Sequence, residues 1–257
     1  QSAQYYNNAL KIAERMQDSA AISTVYFQLG TLNFYQGDMK LAERYMKKAY
    51  ISVPSYEDPV IKSNLISALG VIYTNNKDYE KADSAMHIAR RIALANNNIR
   101  KSAVATSNLA EIKWELGQKD SALSYLNEAI QMNREINFKM GIAWCSYLKG
   151  SFEMDLKNWS GANESMSKAI AIWEKLESRK DLAYGYEKYA KIKAQINDYE
   201  AAYKINLKLQ EVKDSIFKKE NIEHLQELEK KYESEKDSIA LANMEVQLQQ
   251  EKELNKI

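Results

Sequence analysis

Nucleophilic or metal chemistry in this chain would have to start from very few side chains. There is one cysteine, Cys145, and there are two histidines, His87 and His224, far apart in sequence. Neither histidine lies near Cys145, and no His or Cys stands at the short spacing that a zinc site uses. His87 and His224 therefore read as surface or boundary residues, and Cys145 as a buried, inert thiol. The eight glycines are scattered singly, so no loop can cradle a phosphate. The carboxylates are interleaved with Lys and Arg, as on solvated helix faces. No catalytic residue, metal ligand or cofactor site is expected, and the chain does not read as an enzyme.

Binding chemistry is less restricted. Lys and Arg number 36 against 35 Asp and Glu, a formal net charge of +1, which excludes a bulk pull toward nucleic acid or anionic membrane. The best basic clusters, Arg90-Arg91 and Arg100-Lys101, bracket one connector and lack interleaved aromatics, so this stretch is not expected to bind nucleic acid. A single cysteine says nothing about redox compartment. No run of about 18 apolar residues is present, so contact with a membrane would come only through a segment beyond residue 257. What remains is the chemistry of docking: tyrosines and tryptophans close to Asn and carboxylates, the residue types that anchor interfaces.

A repeat sets the positions of those side chains. Sliding the sequence by forty residues aligns Ala42, Ala82, Ala122, Ala162 and Ala202. A second column holds Ala9, Ala49, Ala89, Ala129, Ala169 and Leu209, a third Leu32, Ile72, Ile112, Phe152 and Ile192, and a fourth Met46, Met86, Leu126 and Met166. Within a period the apolar residues Leu65, Ile66, Leu69, Ile72 and Tyr73 recur at spacings of three and four, one face of a helix. A polar turn, Asn75-Asn76-Lys77-Asp78, leads to a second stripe of Tyr79, Ala82, Met86 and Ala89. Each unit is thus a helical hairpin. Gly30, Gly70 and Gly150 sit inside first helices, where Gly costs about 0.5–1 kcal/mol relative to Ala, which predicts a close approach of the neighbouring helix.

A small residue after Leu (Leu29-Gly30, Leu69-Gly70, Leu109-Ala110) and the runs Asp78-Tyr79-Glu80-Lys81-Ala82 and Asp198-Tyr199-Glu200-Ala201-Ala202 are similar to the tetratricopeptide signature. Ala49 followed by Pro54 completes it in one unit. The resemblance covers roughly residues 1–213 and implies an all-α, right-handed α-solenoid with about five repeats behind a half repeat. The usual unit is 34 residues, so about six extra are expected in longer second helices and connectors. Lys149, Glu153 and Lys193 depart from the pattern, which predicts a loosely packed or rotated fourth unit. The chain opens at Gln1 inside a second helix, as a piece of a longer protein would.

In such a solenoid the first helices line a concave groove. The register places Phe34 and Tyr35 there from the first full unit, Asn75 from the second, and Asn108, Glu111 and Trp114 from the third. Trp144, Tyr147 and Tyr184 follow. The expected partner is a protein or peptide. Chaperone adaptors of the family clamp a carboxylate with cations, but the matching positions here are Phe27, Thr31, Ala68, Val104 and Asn108, with no cation.

Residues 214–257 break the period and read as a long polar helix with a thin seam of Leu225, Leu228, Tyr232, Ile239, Ala242 and Val246. Two readings stand: a helix packed back on the last repeat, or a homodimer through 222–257. Repeats followed by such a helix resemble the extracytoplasmic sensor regions of Bacteroidetes membrane-bound histidine kinases and LuxR-type regulators. That resemblance implies a sensor domain in the periplasm. The alternative is a soluble cytoplasmic scaffold that docks a partner.

Overall fold

The computed structural model describes residues 2–54 and 59–254. Eleven helices follow one another among them: α1 Ser2–Arg15, α2 Ser19–Tyr35, α3 Met39–Ser52, α4 Pro59–Asn75, α5 Tyr79–Ala95 and α6 Ile99–Glu115. Then come α7 Lys119–Glu135, α8 Lys139–Asp155, α9 Trp159–Lys175, α10 Arg179–Gln195 and α11 Tyr199–Leu254. Each helix packs on the next, so α2/α3, α4/α5, α6/α7, α8/α9 and α10/α11 form five hairpins behind α1. The first helices α4, α6, α8 and α10 also touch one another in series, which puts them on the inner side of the stack. The chain is an α-solenoid.

The forty-residue period is two half-periods of twenty. A residue in the left-handed region closes a helix at Gln17, Gly37, Lys77, Asn97, Gly117, Asn137, Lys157, Glu177 and Asn197, with φ between 51° and 83°. At each full turn the next backbone N–H reaches back to the helix it leaves, as in Asp38 N to Asn33 O at 3.0 Å and Asn98 N to Ala93 O at 2.8 Å. Where that residue is Asp or Asn, its side chain also caps the following helix. Asp38 accepts from Leu41 N at 2.9 Å, Asn98 from Lys101 N at 3.1 Å and Asn158 from Gly161 N at 3.2 Å. Turns within a unit and between units share this build. The connectors at these turns are only three residues, so the length beyond 34 residues lies in the helices, not in longer connectors as expected.

Four of the nine left-handed positions, Gln17, Lys77, Lys157 and Glu177, carry a side chain that disfavours the conformation. Glu177→Gly is therefore expected to raise stability by about 0.5–1 kcal/mol, the relief of strain less the entropy of glycine. Gly37→Ala, at φ +83° with open space around it, should lower stability by a similar amount for backbone reasons alone. Urea unfolding of both variants checks the pair.

The core is the set of columns seen in the sequence. Ala42, Ala82, Ala122 and Ala162 are fully buried, and Met46, Met86, Leu126 and Met166 lie over them. A Cβ on Gly30 or Gly70 would meet the flexible ends of Met46 or Met86. On Gly150 it would meet backbone instead, Met166 N at 3.1 Å and Ala162 O at 3.3 Å. Gly150→Ala should thus cost about 1–3 kcal/mol, and Gly30→Ala much less, by the same unfolding measurement.

The fourth unit is not loose. Cys145, Leu148 and Phe152 of α8 lie in the largest buried cluster, which runs from α6 to α11. The polar departures have found partners: Glu153 accepts from Ser165 Oγ at 2.7 Å, Lys149 donates to Asn127 Oδ1 at 2.9 Å, and Lys193 pairs with Asp198 at 3.1 Å. Apolar pattern alone could not show those bonds.

α11 differs from the other second helices. It passes residues 213–214 without a break. What changes along it is burial, which ends near Ile216. Where α5, α7 and α9 carry buried Met86, Leu126 and Met166, α11 has exposed Asn206, and where Ala93, Asn133 and Trp173 are buried it has Lys213. Polar Asn206 and Lys213 thus stand where the other second helices receive a following hairpin, while Tyr203 and Leu207 are also exposed.

Candidate functional site

The inner face is built from one stripe of each first helix, at spacings of three and four. On α6 the stripe is Val104, Ser107, Asn108, Glu111 and Glu115, on α8 Trp144, Tyr147, Ser151 and Asp155, and on α10 Tyr184, Glu187 and Lys191. One column, Thr24, Asn64, Val104, Trp144 and Tyr184, one residue per hairpin, is exposed in every case. Trp144 is 38% exposed and Tyr184 60% exposed.

The other residues placed here by register divide. Tyr35 is 81% exposed, Asn75 is exposed, and Phe34, Asn108 and Glu111 are half-buried. Trp114 and Tyr147 are not open surface, at 8% and 9%. The ring of Trp114 stacks on Phe152 with centroids 4.0 Å apart and 5° between planes, and Lys119 Nζ lies 3.6 Å from its centroid. Phe152 is the aromatic member of an otherwise aliphatic column and reaches over from the next unit. Tyr147 is held between Trp144 and Trp173, each centroid 5.5 Å away, with Lys188 Nζ 5.3 Å over its ring.

Two cavities indent this face. One, about 220 Å³, lies between α6 and α8, with Val104, Ser107, Asn108, Phe138, Trp144 and Asn133 in its wall. Phe138 was not expected here. It occupies a position where most other turns carry a capping Asp or Asn, and that substitution is the signal in the sequence. The second, about 150 Å³, lies between α2 and α4 against Phe27, Thr31, Phe34, Tyr35, Ala68 and Val71. No charged residue lines it.

Electrostatics single out Glu111. Among the described residues its carboxylate takes part in no hydrogen bond and no ion pair, and burial, with the nearby Glu115 charge, pushes its pKa up to about 7. Lys113, two residues on, is engaged elsewhere, with Asp83 at 2.8 Å. Burial also holds the Lys188 ammonium below its usual range.

The chemistry weighed at Cys145 does not materialise. The thiol is buried and pushed up to about 12 by burial and by Glu111, so it is no nucleophile at neutral pH. No group of three or more potential metal ligands occurs among the described residues. None of the described helices is long and apolar enough to cross a membrane. One member of each basic cluster is engaged: Arg90 donates to Thr106 Oγ1 at 3.0 Å and pairs with Glu128, while Arg100 lies 4.0 Å over the Phe138 ring.

A stack of helical hairpins with one lined inner face is the architecture of solenoid repeat proteins, whose extended concave faces serve as binding surfaces. Residues 63–135 and residues 23–50 each match a family model described as tetratricopeptide repeat. The chain carries tetratricopeptide repeats over those stretches. No curated protein matches it. Among solved structures it is similar to BtubC from P. vanneervenii, at 19% identity and TM-score 0.72, covering 83% of this chain and 90% of that one. It is similar to a STAND signal-transduction ATPase with a tetratricopeptide repeat sensor from Pyrococcus horikoshii, at 18% identity and TM-score 0.69, covering 84% and 34%. It is also similar to the Rap conjugation gene regulator of plasmid pLS20 in complex with the Phr* peptide, at 14% identity and TM-score 0.63, covering 75% and 53%. The chain thus spans about half of the Rap regulator and a third of the STAND protein.

Proposed function

We propose that this chain is a non-catalytic module that holds a protein or peptide against its first helices, and that it forms the sensor region of a bacterial membrane-bound signalling or transcription-regulatory protein. The carrying observation is the open pair of aromatic rings, Trp144 and Tyr184, on the inner face formed by the first helices. A Rap regulator of the same fold is complexed with a peptide, and a STAND protein of the same fold uses its repeats as a sensor, which supports a partner of that kind. The sensor reading also draws on α11, a single helix that leaves the last hairpin exposing Leu225, Leu228 and Tyr232. Those residues give a thin seam for a homodimer through 222–257, although the side chains of Ile239, Ala242 and Val246 lie outside the described residues.

In this reading the domain is extracytoplasmic and is joined to the membrane by a segment beyond residue 257. Fractionation of the parent protein tests it. Recovery with membranes, and cleavage of the repeats by protease added to spheroplasts, is the expected result. Recovery in the cytosol would sink the sensor reading and leave a cytoplasmic scaffold. Sedimentation of residues 1–257 against a version ending near Phe217 should show the longer chain as the larger species.

A further inference from the structure

Three departures from the repeat meet at the cavity between α6 and α8. In four other units the residue matching Asn133 is buried and apolar: Ala13, Val53, Ala93 and Trp173. Here it is an asparagine only 3% exposed. Phe138 stands at the start of α8 and supplies no side-chain cap. Gly141 has no room for a Cβ, which would lie 2.4 Å from Asn133 Oδ1 and 2.7 Å from the Phe138 ring. All three residues line the cavity. Breaches of local rules that gather in one place are expected at a functional site.

The next unit shows what suits such a space. Forty residues beyond Asn133 stands Trp173, whose indole packs 5.5 Å from the Tyr147 ring and against Gly185. One repeat earlier, the counterparts of those two neighbours are Ser107 and Cys145, and both line the cavity. Where one pair of units buries an indole of its own, the pair before it has a cavity of about 220 Å³. An apolar cavity of about 150 Å³ takes up benzene, so two fused rings are within reach here. The polar part of the wall offers acceptors. Ser107 Oγ donates to Val104 O at 2.8 Å and Asn133 Nδ2 to Ala129 O at 2.8 Å, while Asn133 Oδ1 has no partner. No charged residue lines the cavity, so a neutral ring that donates a hydrogen bond is the matching chemistry. Val104 and Trp144, both exposed, open it to the inner face.

We infer that the α6–α8 cavity seats the tryptophan side chain of a partner segment, its indole N–H donating to the oxygens of the wall. The inference rests on the groove reading above and gives it a chemistry. The partner's tryptophan would take the place that Trp173 holds one repeat on, and tryptophan is the residue that most often anchors an interface.

The test uses the full chain, immobilised, and pools of N-acetylated, C-amidated octapeptides with one fixed residue, retention being read by mass spectrometry. Pools with fixed tryptophan should be retained about tenfold or more over pools with fixed leucine. Fixed 1-methyltryptophan keeps the rings and loses the donor, and should be retained about threefold or more below tryptophan. The double variant Asn133→Trp, Cys145→Gly copies the Trp173–Gly185 pair and should abolish the tryptophan preference. Val104→Phe, at an exposed position of the wall, should weaken that preference without disturbing the core, and urea unfolding shows that each variant is folded. A tryptophan preference that survives both variants, or tryptophan pools retained no better than leucine or 1-methyltryptophan pools, would overturn the inference while leaving the groove as a peptide site. Retention of no pool at all would overturn both readings.

Discussion

Glu111→Gln is expected to stabilise the folded protein by about 1–3 kcal/mol at pH 8, with the gain disappearing as the pH is lowered. The Glu111 carboxyl is raised from 4.5 to about 7 on folding, by burial first and by Glu115 second. A carboxyl that holds its proton more tightly when folded favours folding at low pH. Its stabilising share is complete below the unfolded value of 4.5 and is lost as the pH rises through 7. Above that, the folded state carries a charge it solvates poorly. The groups that feel or perturb this charge are Glu115 on α6 and Cys145 and Tyr147 on α8, and none of them is a cation. Glutamine keeps the shape and removes the charge. Unfolding midpoints of both proteins in urea, followed by circular dichroism between pH 4.5 and 8, check the sign. An advantage that does not change with pH, or a loss of stability at pH 8, would refute it. A residue that lowers the stability of its own fold is expected where function needs the group.

The second large effect lies at Trp173. Its indole is fully buried, with the Tyr147 ring 5.5 Å away and the α-carbon of Gly185 close against the ring edge. Trp173→Ala should cost about 3–5 kcal/mol, because the hole it leaves is walled by α8, α9 and α10 and cannot collapse. Trp173→Phe should cost far less. The indole Nε1 has no hydrogen-bond partner, so its loss removes a buried unsatisfied donor together with part of the ring. A solenoid is held together between neighbours, so the damage should be local. Hydrogen exchange in the alanine variant is expected to rise in α8 to α10 and stay near the parent level in α4 and α5. Uniform loss of protection along the chain would count against that picture.

Much of this fold is legible in the sequence, and the columns show why. A position such as Ala82 or Ala122 sits where two backbones nearly touch, so only a small residue is admitted and the period shows directly. The turns are less legible. Their left-handed residues are Gln, Lys, Asn, Glu and Gly in different units, and only the Asp or Asn that follows hints at the twenty-residue half-period. The groove divides the same way. Tyr184 and Trp114 share the same helical logic in sequence, yet one is open and the other is covered. The difference comes from Phe152 of the next unit, whose ring stacks on Trp114, and no single helix reports it. For Glu111 the sequence places the acid on the inner face, but Lys113, two residues on, points instead to Asp83 on α5. A missing ion pair is a property of packing. In the tail, the fall in apolar content marks where α11 leaves the body, and not where a helix begins.

That last feature has a mechanical side. At 1.5 Å per residue, the stretch from Leu209, its last buried leucine, to Leu254 is about 68 Å long. No glycine or proline interrupts it to absorb a bend. A tilt of about 5° where α11 meets α10 would sweep the far end sideways by about 6 Å over that length. A tilt of that size at the last hairpin would thus reach the far end as a stroke longer than a helical turn.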